Sequence, residues 1–391
     1  MATNRGFVLP SQDLHKMFKS GRIQGISEED FLKQVQPASF EPTVGSKAYC
    51  ITNDAFQTIR RNSGENIEDV LKHIPRGDCQ ELEIDEKKGL SLKPHFRYLI
   101  PQREQFTLES DETLKMSPKS SSGRIWFDTR MLSSASSRID KIIGAEVHGK
   151  NIDAWLLIEP LITENIIYPN QAIGQVRITK GIDPKLTQRE LIDLHEKEGL
   201  VYNLNKEGKL ARIENPIFDN GELTTHLALH SLDGHQKIQS LRMKQGDCFI
   251  LYGREYMKIP EGYCAEMKPY SITSRRGPLH FAGFFDPGFE GQPVVEIRCD
   301  EREWVLQHGC PIAEFEFYKL KSKPTLLGES FIYGKKIGSN YSEQCGPRVA
   351  KHFEEKDLTS SIGFKARKNP IPIDTKNIEH YSHLDYYNEV Q

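Results

Sequence analysis

The chain has 391 residues, 37% of them hydrophobic, with 52 Lys and Arg against 55 Asp and Glu and a net charge of −3. That length fits about two or three domains, and the near-balanced charge gives no overall electrostatic case for a nucleic-acid polymer or a lipid surface. No run approaches the ~18 apolar residues of a membrane helix, no signal-peptide stretch opens the chain, and seven cysteines without a CxxC pair fit free thiols in a reducing cytoplasm.

In chain order, SQDLHKMFKSG (11–21) predicts a helix with Ser11 as N-cap and Gly21 past its end. FRYLI (96–100), AWLLIEPLI (154–162) and QVRI (175–178) follow as short runs rich in Val, Ile, Phe and Tyr. CFILYG (248–253), VVEIR (294–298) and EFEFYKL (314–320) are of the same kind. All are broken by Pro and Gly, which predicts strands of a sandwich or jelly roll and not of a βαβ sheet. Between the two groups, LTQRELIDLHEKEG (186–199) predicts a second helix, with Thr187 or a neighbour capping it and Gly199 stopping it. It is expected to be the linker (186–204) between a first domain (1–185) and a second (205–365). The polar, aromatic tail (366–391) reads as a frayed end or as an arm docking on a neighbour.

The two groups resemble each other. At a shift of 151, Glu104 falls on Glu255, Met116 on Met267, Pro118 on Pro269, Ser120 on Ser271 and Arg124 on Arg275. At a shift of 139, WLLIEP (155–160) lies over VVEIRC (294–299) and QAIGQVRI (171–178) over CPIAEFEF (310–317). Strand patterns do coincide by accident, but matched Pro, Arg and Glu across two blocks argue for one β-domain built twice.

Three segments carry chemistry. HFAGFFDPGFEGQPVVEI (280–297) sets a turn, Asp286-Pro287-Gly288, ahead of Glu296 in an otherwise apolar strand. A carboxylate there is costly unless it has a partner or a task; the alternatives are proton transfer or an edge-strand surface group. PKSSSGR (118–124) gathers a cation, three hydroxyls, a glycine and an arginine, either a phosphate cradle or a polar surface loop. YGKKIGSNYSEQCGP (333–347) reads as a flap over a ligand or as an ordinary loop. No GxxxxGK[ST], GxGxxG, GxSxG or PCxxC occurs, and the HxxH of His380 and His383 has no following cysteine, so no protein-bound metal and no zinc are expected.

Together these segments resemble the dCTP deaminase and dUTPase superfamily, in particular long bacterial dCTP deaminases with two copies of the fold. The likeness runs from GFVLPSQDLHKMFKSGRI and QPASFEPTVGSKAY (36–49) through KMSPKSSSGRIWFDTRML (115–132) and HFAGFFDPGFEG to IGSNYSEQCGPRVAKHF (337–353). It implies a mainly β protein: two tandem dUTPase-like distorted jelly-roll (β-clip) domains with a few short helices, assembling as trimers with nucleotide sites between subunits. It implies Glu296, ten residues after Asp286, as the catalytic acid–base, with Ser271 and Arg275 as catalytic partners. Lys119, Ser120, Ser121 and Arg124, together with Asp286, Val294, Val295, Tyr333 and Gln344, are implied to bind substrate. Leu157 stands at the glutamate position of copy one, with Glu159 out of register, so that copy is expected to be degenerate. Tyr270, Phe284 and Asn340 also depart from the family pattern. The resemblance therefore leaves two arrangements open: phosphates on the first copy's loop with catalysis on the second, or Ser271 and Arg275 serving Glu296 directly.

The implied activity is hydrolytic deamination of dCTP to dUTP and ammonia, with one carboxylate shuttling protons. Burial beside apolar groups raises a carboxyl pKa and suits that duty. Mg²⁺ is expected only with the triphosphate. The alternatives are a dUTP diphosphatase or bifunctional enzyme, for which Asp286 would activate water at phosphorus, and an inactive nucleotide sensor. Expected partners are dCTP or dUTP and further copies of the chain, a trimer being favoured by ring closure.

Overall fold

The computed structural model describes the chain except residues 1–4, 53–64, 76, 148, 163, 206–207, 230–237, 271–282, 335–338, 340, 347–349, 351–373 and 382–391. Short strands dominate it and helices are few and short, as the alternating apolar runs predict. The chain divides into two units: Met1–Pro184 with Leu320–Phe331, and Lys185–Lys319 with Ile332–Gln391.

In the first unit, helix Ser11–Lys19 forms where predicted, but Pro10 holds the cap position and Ser11 is the first helical residue. The Ser11 hydroxyl instead donates to the Thr325 carbonyl at 3.0 Å. Segment 320–331, expected in the second domain, belongs here for that reason among others. The Lys321 N–H donates to the Val8 carbonyl at 3.1 Å, and the Thr325 N–H donates to Gln12 Oε1 at 2.9 Å. The Lys321 ammonium also lies 3.1 Å from the Asp13 carboxylate. One sheet orders Phe7–Val8, Gly174–Lys180, Glu112–Pro118 and Lys141–Ile143. The other orders Cys79–Glu83, Lys47–Ile51, Arg97–Phe106, Ile152–Pro160 and Phe127–Leu132, with Ile23–Gln24 beside Arg97–Phe106. Buried Phe31 stacks on Phe40 at a ring distance of 5.5 Å, and Phe40 meets Phe106 edge to face at 6.1 Å.

The second unit builds a sheet ordered Phe284–Phe285, Tyr263–Pro269, Pro311–Lys319, Glu222–Ala228, Cys248–Gly253 and Val294–Arg298. A five-stranded sheet orders Glu290–Gly291, Tyr256–Lys258, Val201–Leu204, Lys209–Ile213 and Asp374–Tyr381. That last strand places part of the expected tail parallel to Lys209–Ile213, within its own unit. Helix Gln188–Glu198 has the predicted ends: Thr187 and Glu190 form a capping box, and Gly199 follows at φ +72°. It is not a free linker. Leu191 and Leu194 lie in the core of the second unit with Phe285, Val295, Phe315 and Phe317. Burial pushes the neighbouring His195 ring down to about 4 while its Nε2 sits 2.7 Å from the Ile213 carbonyl, so the ring is a neutral structural donor.

The two shifts read from sequence are reproduced in the ladders. In the first unit Pro101, Ile100, Leu99 and Tyr98 face Trp155, Leu156, Leu157 and Ile158. In the second, Tyr252, Leu251, Ile250 and Phe249 face Val294, Val295, Glu296 and Ile297. Likewise Gly174↔Pro118, Val176↔Met116 and Arg177↔Lys115 become Ala313↔Pro269, Phe315↔Met267 and Glu316↔Glu266. One residue of slip would turn every side chain to the wrong face, so agreement pair by pair makes these two copies of one fold.

Candidate active site

Strand Val294–Arg298 positions Glu296. Alternation sends Val295 and Ile297 into the apolar core of the second unit. Val295, expected among the substrate-binding residues, is therefore a core residue. Glu296 points to the other face with Val294 and Arg298, opposite Ile250 on the neighbouring strand. The glutamate is only 2% exposed, so it is not a surface group. A carboxylate kept there costs free energy unless it has a partner or a task. Arg298 turns to Asp300 at 3.0 Å.

The turn before the strand holds two further predicted residues near it. The Asp286 carbonyl accepts the Phe289 N–H at 3.1 Å, and Asp286 is 6% exposed. Gly288 has φ +87°, and a Cβ there would meet the Tyr333 carbonyl oxygen at 3.0 Å. The Tyr333 N–H donates to the Pro287 carbonyl at 2.8 Å, and its ring lies 5.8 Å from that of Phe289, against the core.

Ten residues on, the chain returns to the same loop. The Glu343 N–H donates to the Glu290 carbonyl at 2.8 Å, and Gln344 bridges Gly291 in parallel. Gly291 has φ +152°, and a Cβ there would lie a tight 3.1 Å from the Gln344 nitrogen, so a side chain would be strained. The Gln344 amide is itself occupied, its Nε2 donating to the Gln292 carbonyl at 2.7 Å. The structure thus brings Asp286, Val294, Glu296, Tyr333 and Gln344 onto one continuous stretch, residues 286–296, and what is docked on it. Ser271, Arg275 and Asn340 lie outside the described residues. Sequence reading missed Gln292, whose partners are 38 to 54 positions away and leave no spacing signal.

The first copy differs at both of its expected features. Leu157 packs with Ile51, Leu99 and Trp155. Glu159 does not replace the missing acid, because it binds Arg97 Nε at 2.8 Å. The PKSSSGR loop, expected as a phosphate cradle or a polar surface loop, forms a short helical turn over Ser120–Gly123. The N–H groups of Ser122 and Gly123 donate to the Lys119 carbonyl, and that of Arg124 to the Ser120 carbonyl. The Ser122 hydroxyl donates to the Ile173 carbonyl at 2.9 Å, and Lys119 is ion-paired with Glu41. Ser121 and Arg124 are 4% and 2% exposed.

Each copy also contains a buried clasp. In the first, Glu104 accepts the Thr43 N–H at 2.7 Å and the Thr43 hydroxyl at 2.9 Å, while the Arg103 N–H donates to the Thr43 carbonyl. In the second, Glu255 accepts the His226 N–H and the His226 Nδ1–H, both at 2.8 Å, while the Arg254 N–H donates to the His226 carbonyl. The two glutamates are the pair matched at the shift of 151, and an arginine precedes each. Among the described residues no group of three or more His, Cys, Asp or Glu side chains is placed to hold a metal ion.

Two family models match the chain. The N-terminal domain of 2'-deoxycytidine 5'-triphosphate deaminase covers residues 5–182, and the C-terminal domain covers 219–353. A protein of Dictyoglomus turgidum named "dCTP deaminase, dUMP-forming" is 36% identical over 125 residues, 29% of this chain and 62% of the relative. One of Pseudarthrobacter chlorophenolicus with the same name is 24% identical over 186 residues, 44% of this chain and 86% of the relative. The match to the Dictyoglomus relative thus spans less than two thirds of its length. A solved 2'-deoxycytidine 5'-triphosphate deaminase from Agrobacterium tumefaciens has the same fold, with a TM-score of 0.67 and 24% identity over 82% of this chain and all of that one. With a deaminase model on each of its two copies, the chain belongs to the dCTP deaminase/dUTPase superfamily.

Proposed function

We propose that this chain hydrolyses the 4-amino group of dCTP, giving dUTP and ammonia, with Glu296 as the proton shuttle. The observation that carries the reading is the Glu296 carboxylate, 2% exposed on a strand whose other face is core, in a chain of this family. Glu296 takes a proton from water as the oxygen bonds to C4, and delivers it to N3. It then takes the proton of the new C4 hydroxyl and passes it to the departing amine as the C4–N bond breaks, leaving the C4 carbonyl of uracil and ammonia. Ser271 orients the water and Arg275 holds the glutamate or polarises the base. No zinc is invoked, since the sequence lacks a PCxxC pair. Mg²⁺ enters with the triphosphate as part of the substrate. The working form is a cytoplasmic homo-oligomer, three chains being favoured because ring closure with threefold pseudo-symmetry needs folds in multiples of three.

Incubation with dCTP and Mg²⁺ tests this. The cytosine-to-uracil absorbance change should match ammonia released, mole for mole. Glu296→Gln should lower turnover by about 10²–10⁴-fold while equilibrium binding of dCTP stays near wild type. Near-normal turnover in that variant would remove the mechanism.

A second reading is favoured by the relatives' names, which specify dUMP as the product. On it, a further water attacks phosphorus, the bond to the β-phosphate breaks, and pyrophosphate leaves. Asp286, 6% exposed in the turn before Glu296, is the group to activate that water. Pyrophosphate released with the ammonia supports it; dUTP as the sole nucleotide product excludes it.

A further inference from the structure

We infer that Gln292 is a positioning residue: it fixes segment 343–346, which carries the substrate-binding candidate Gln344, to the edge of the strand from which Glu296 projects. All four of its polar groups are used. Its backbone N–H donates to the Gln344 carbonyl at 2.9 Å, and its carbonyl accepts the Gln344 side-chain amide at 2.7 Å. Its side-chain Oε1 accepts the Gly346 N–H at 2.8 Å, and its Nε2 donates to the Arg254 carbonyl at 3.0 Å. The residue is 7% exposed, so none of these bonds is easily replaced by water.

One amide thus joins three pieces of chain. Arg254 follows strand Cys248–Gly253, which pairs with the Glu296 strand, and its own N–H is tied to His226 of the Glu255 clasp. Gly346 and Gln344 belong to the C-terminal segment. Gln292 itself lies four residues before Glu296. Cys345, between the two tethered residues, packs against buried Tyr202, Leu210 and Tyr256. Pulling the segment away would therefore break hydrogen bonds and expose apolar surface together.

At the shift of 139, Gln292 corresponds to Asp153, which binds a residue just past the end of the neighbouring strand Phe127–Leu132. Asp153 accepts the Ser134 N–H at 2.9 Å and the Ser134 hydroxyl at 2.6 Å, and the Trp155 Nε1–H at 2.9 Å. Both residues use a side-chain oxygen to accept a backbone N–H, from Ser134 in the first copy and from Gly346 in the second.

The inference rests on Glu296 and Gln344 serving one site, and its test separates the two ideas. Gln292→Met keeps the volume and removes both side-chain hydrogen bonds; Gln292→Glu keeps an acceptor for Gly346 but has no N–H for Arg254. Because the Glu296 strand stays paired with Cys248–Gly253, Gln292→Met should raise KM for dCTP about tenfold or more, with kcat changed less than about threefold. Hydrogen exchange in nucleotide-free protein should quicken in peptides spanning 343–346 and not in the Glu296 strand. Gln292→Glu, which sets a buried carboxylate against the Arg254 carbonyl, should be at least as impaired as Gln292→Met on both readings. An unchanged KM, or exchange that quickens evenly over the whole unit, overturns the inference. If the wild-type protein releases no ammonia, the proposed function fails, and the exchange experiment still decides for or against the anchor.

Discussion

The two copies keep the same strand registers and differ in what they bury on them. Where the second copy holds Glu296, the first holds Leu157 at the same ladder position, opposite Leu99 in place of Ile250. The lesson extends beyond that position. Lys115 and Arg177 of the first copy face each other where the second has Glu266 and Glu316. Glu316 is tolerated because, although burial pushes its carboxyl up, hydrogen bonds from Lys185, Lys268 and Tyr318 bring it down to about 2. The skeleton is set by backbone pairing and apolar alternation, and charge at a given position is free to invert wherever a local partner is supplied.

The clasps show the same freedom. Burial pushes Glu104 up, and the two Thr43 hydrogen bonds do not compensate. Burial also pushes Glu255 up, but hydrogen bonding and electrostatic attraction from His226, with Arg254 adding to it, more than reverse the effect. The same carboxylate position thus favours its protonated form in one copy and its charged form in the other.

The sharpest contrast to draw is between Glu296 and Leu157. Losing the Glu296 carboxylate should remove the activity, as above, whereas Leu157→Ala should leave activity per folded molecule unchanged and cost about 2–5 kcal/mol in urea titration. A Leu157→Ala protein that is fully stable but inactive would make the first copy a working site and break the comparison. Next, Glu255→Ala should cost about 3–5 kcal/mol, because it strands the His226 side chain and backbone N–H in the interior. Smallest, Glu104→Gln should change stability by about 1 kcal/mol or less at neutral pH, since it retains an acceptor and removes a charge that burial disfavours.

Their pH dependences should have opposite signs. The Glu255 contribution is present above the ordinary carboxylate range and lost as pH falls through its lowered folded value. The Glu104 contribution is present below that range and lost as pH rises through its raised folded value. Urea midpoints measured from about pH 3 to 7 should therefore drop less on acidification in Glu255→Gln than in wild type. In Glu104→Gln they should lose the part that weakens with rising pH. Equal slopes in both variants would mean that the clasps are electrostatically alike.

Much of this was legible in the sequence because it is periodic or local. Both shifts between the copies, the helix capped by Thr187 and the place of Glu296 were readable from alternation, a capping pattern and a turn. The rest depends on single long-range bonds. The clasp partners Thr43 and Glu104 are 61 positions apart, and His226 and Glu255 are 29 apart. Neither separation follows from any repeat. For the PKSSSGR run, composition does not say where its donors turn; here the N–H groups of Ser122, Gly123 and Arg124 go to the Lys119 and Ser120 carbonyls and the Ser122 hydroxyl to the Ile173 carbonyl. Val295 shows the opposite failure: strict alternation already excluded it from the face that Glu296 occupies.

The return of residues 320–331 to Ser11, Gln12 and Asp13 makes the two units alternate along the chain, first, second, first and second again. No single scission yields two self-sufficient halves. A fragment ending at Pro184 would leave the first helix without the strap it is sewn to, and the remainder would carry a dozen orphaned residues. Two copies in tandem thus form one interleaved chain, which no single cut parts into its units.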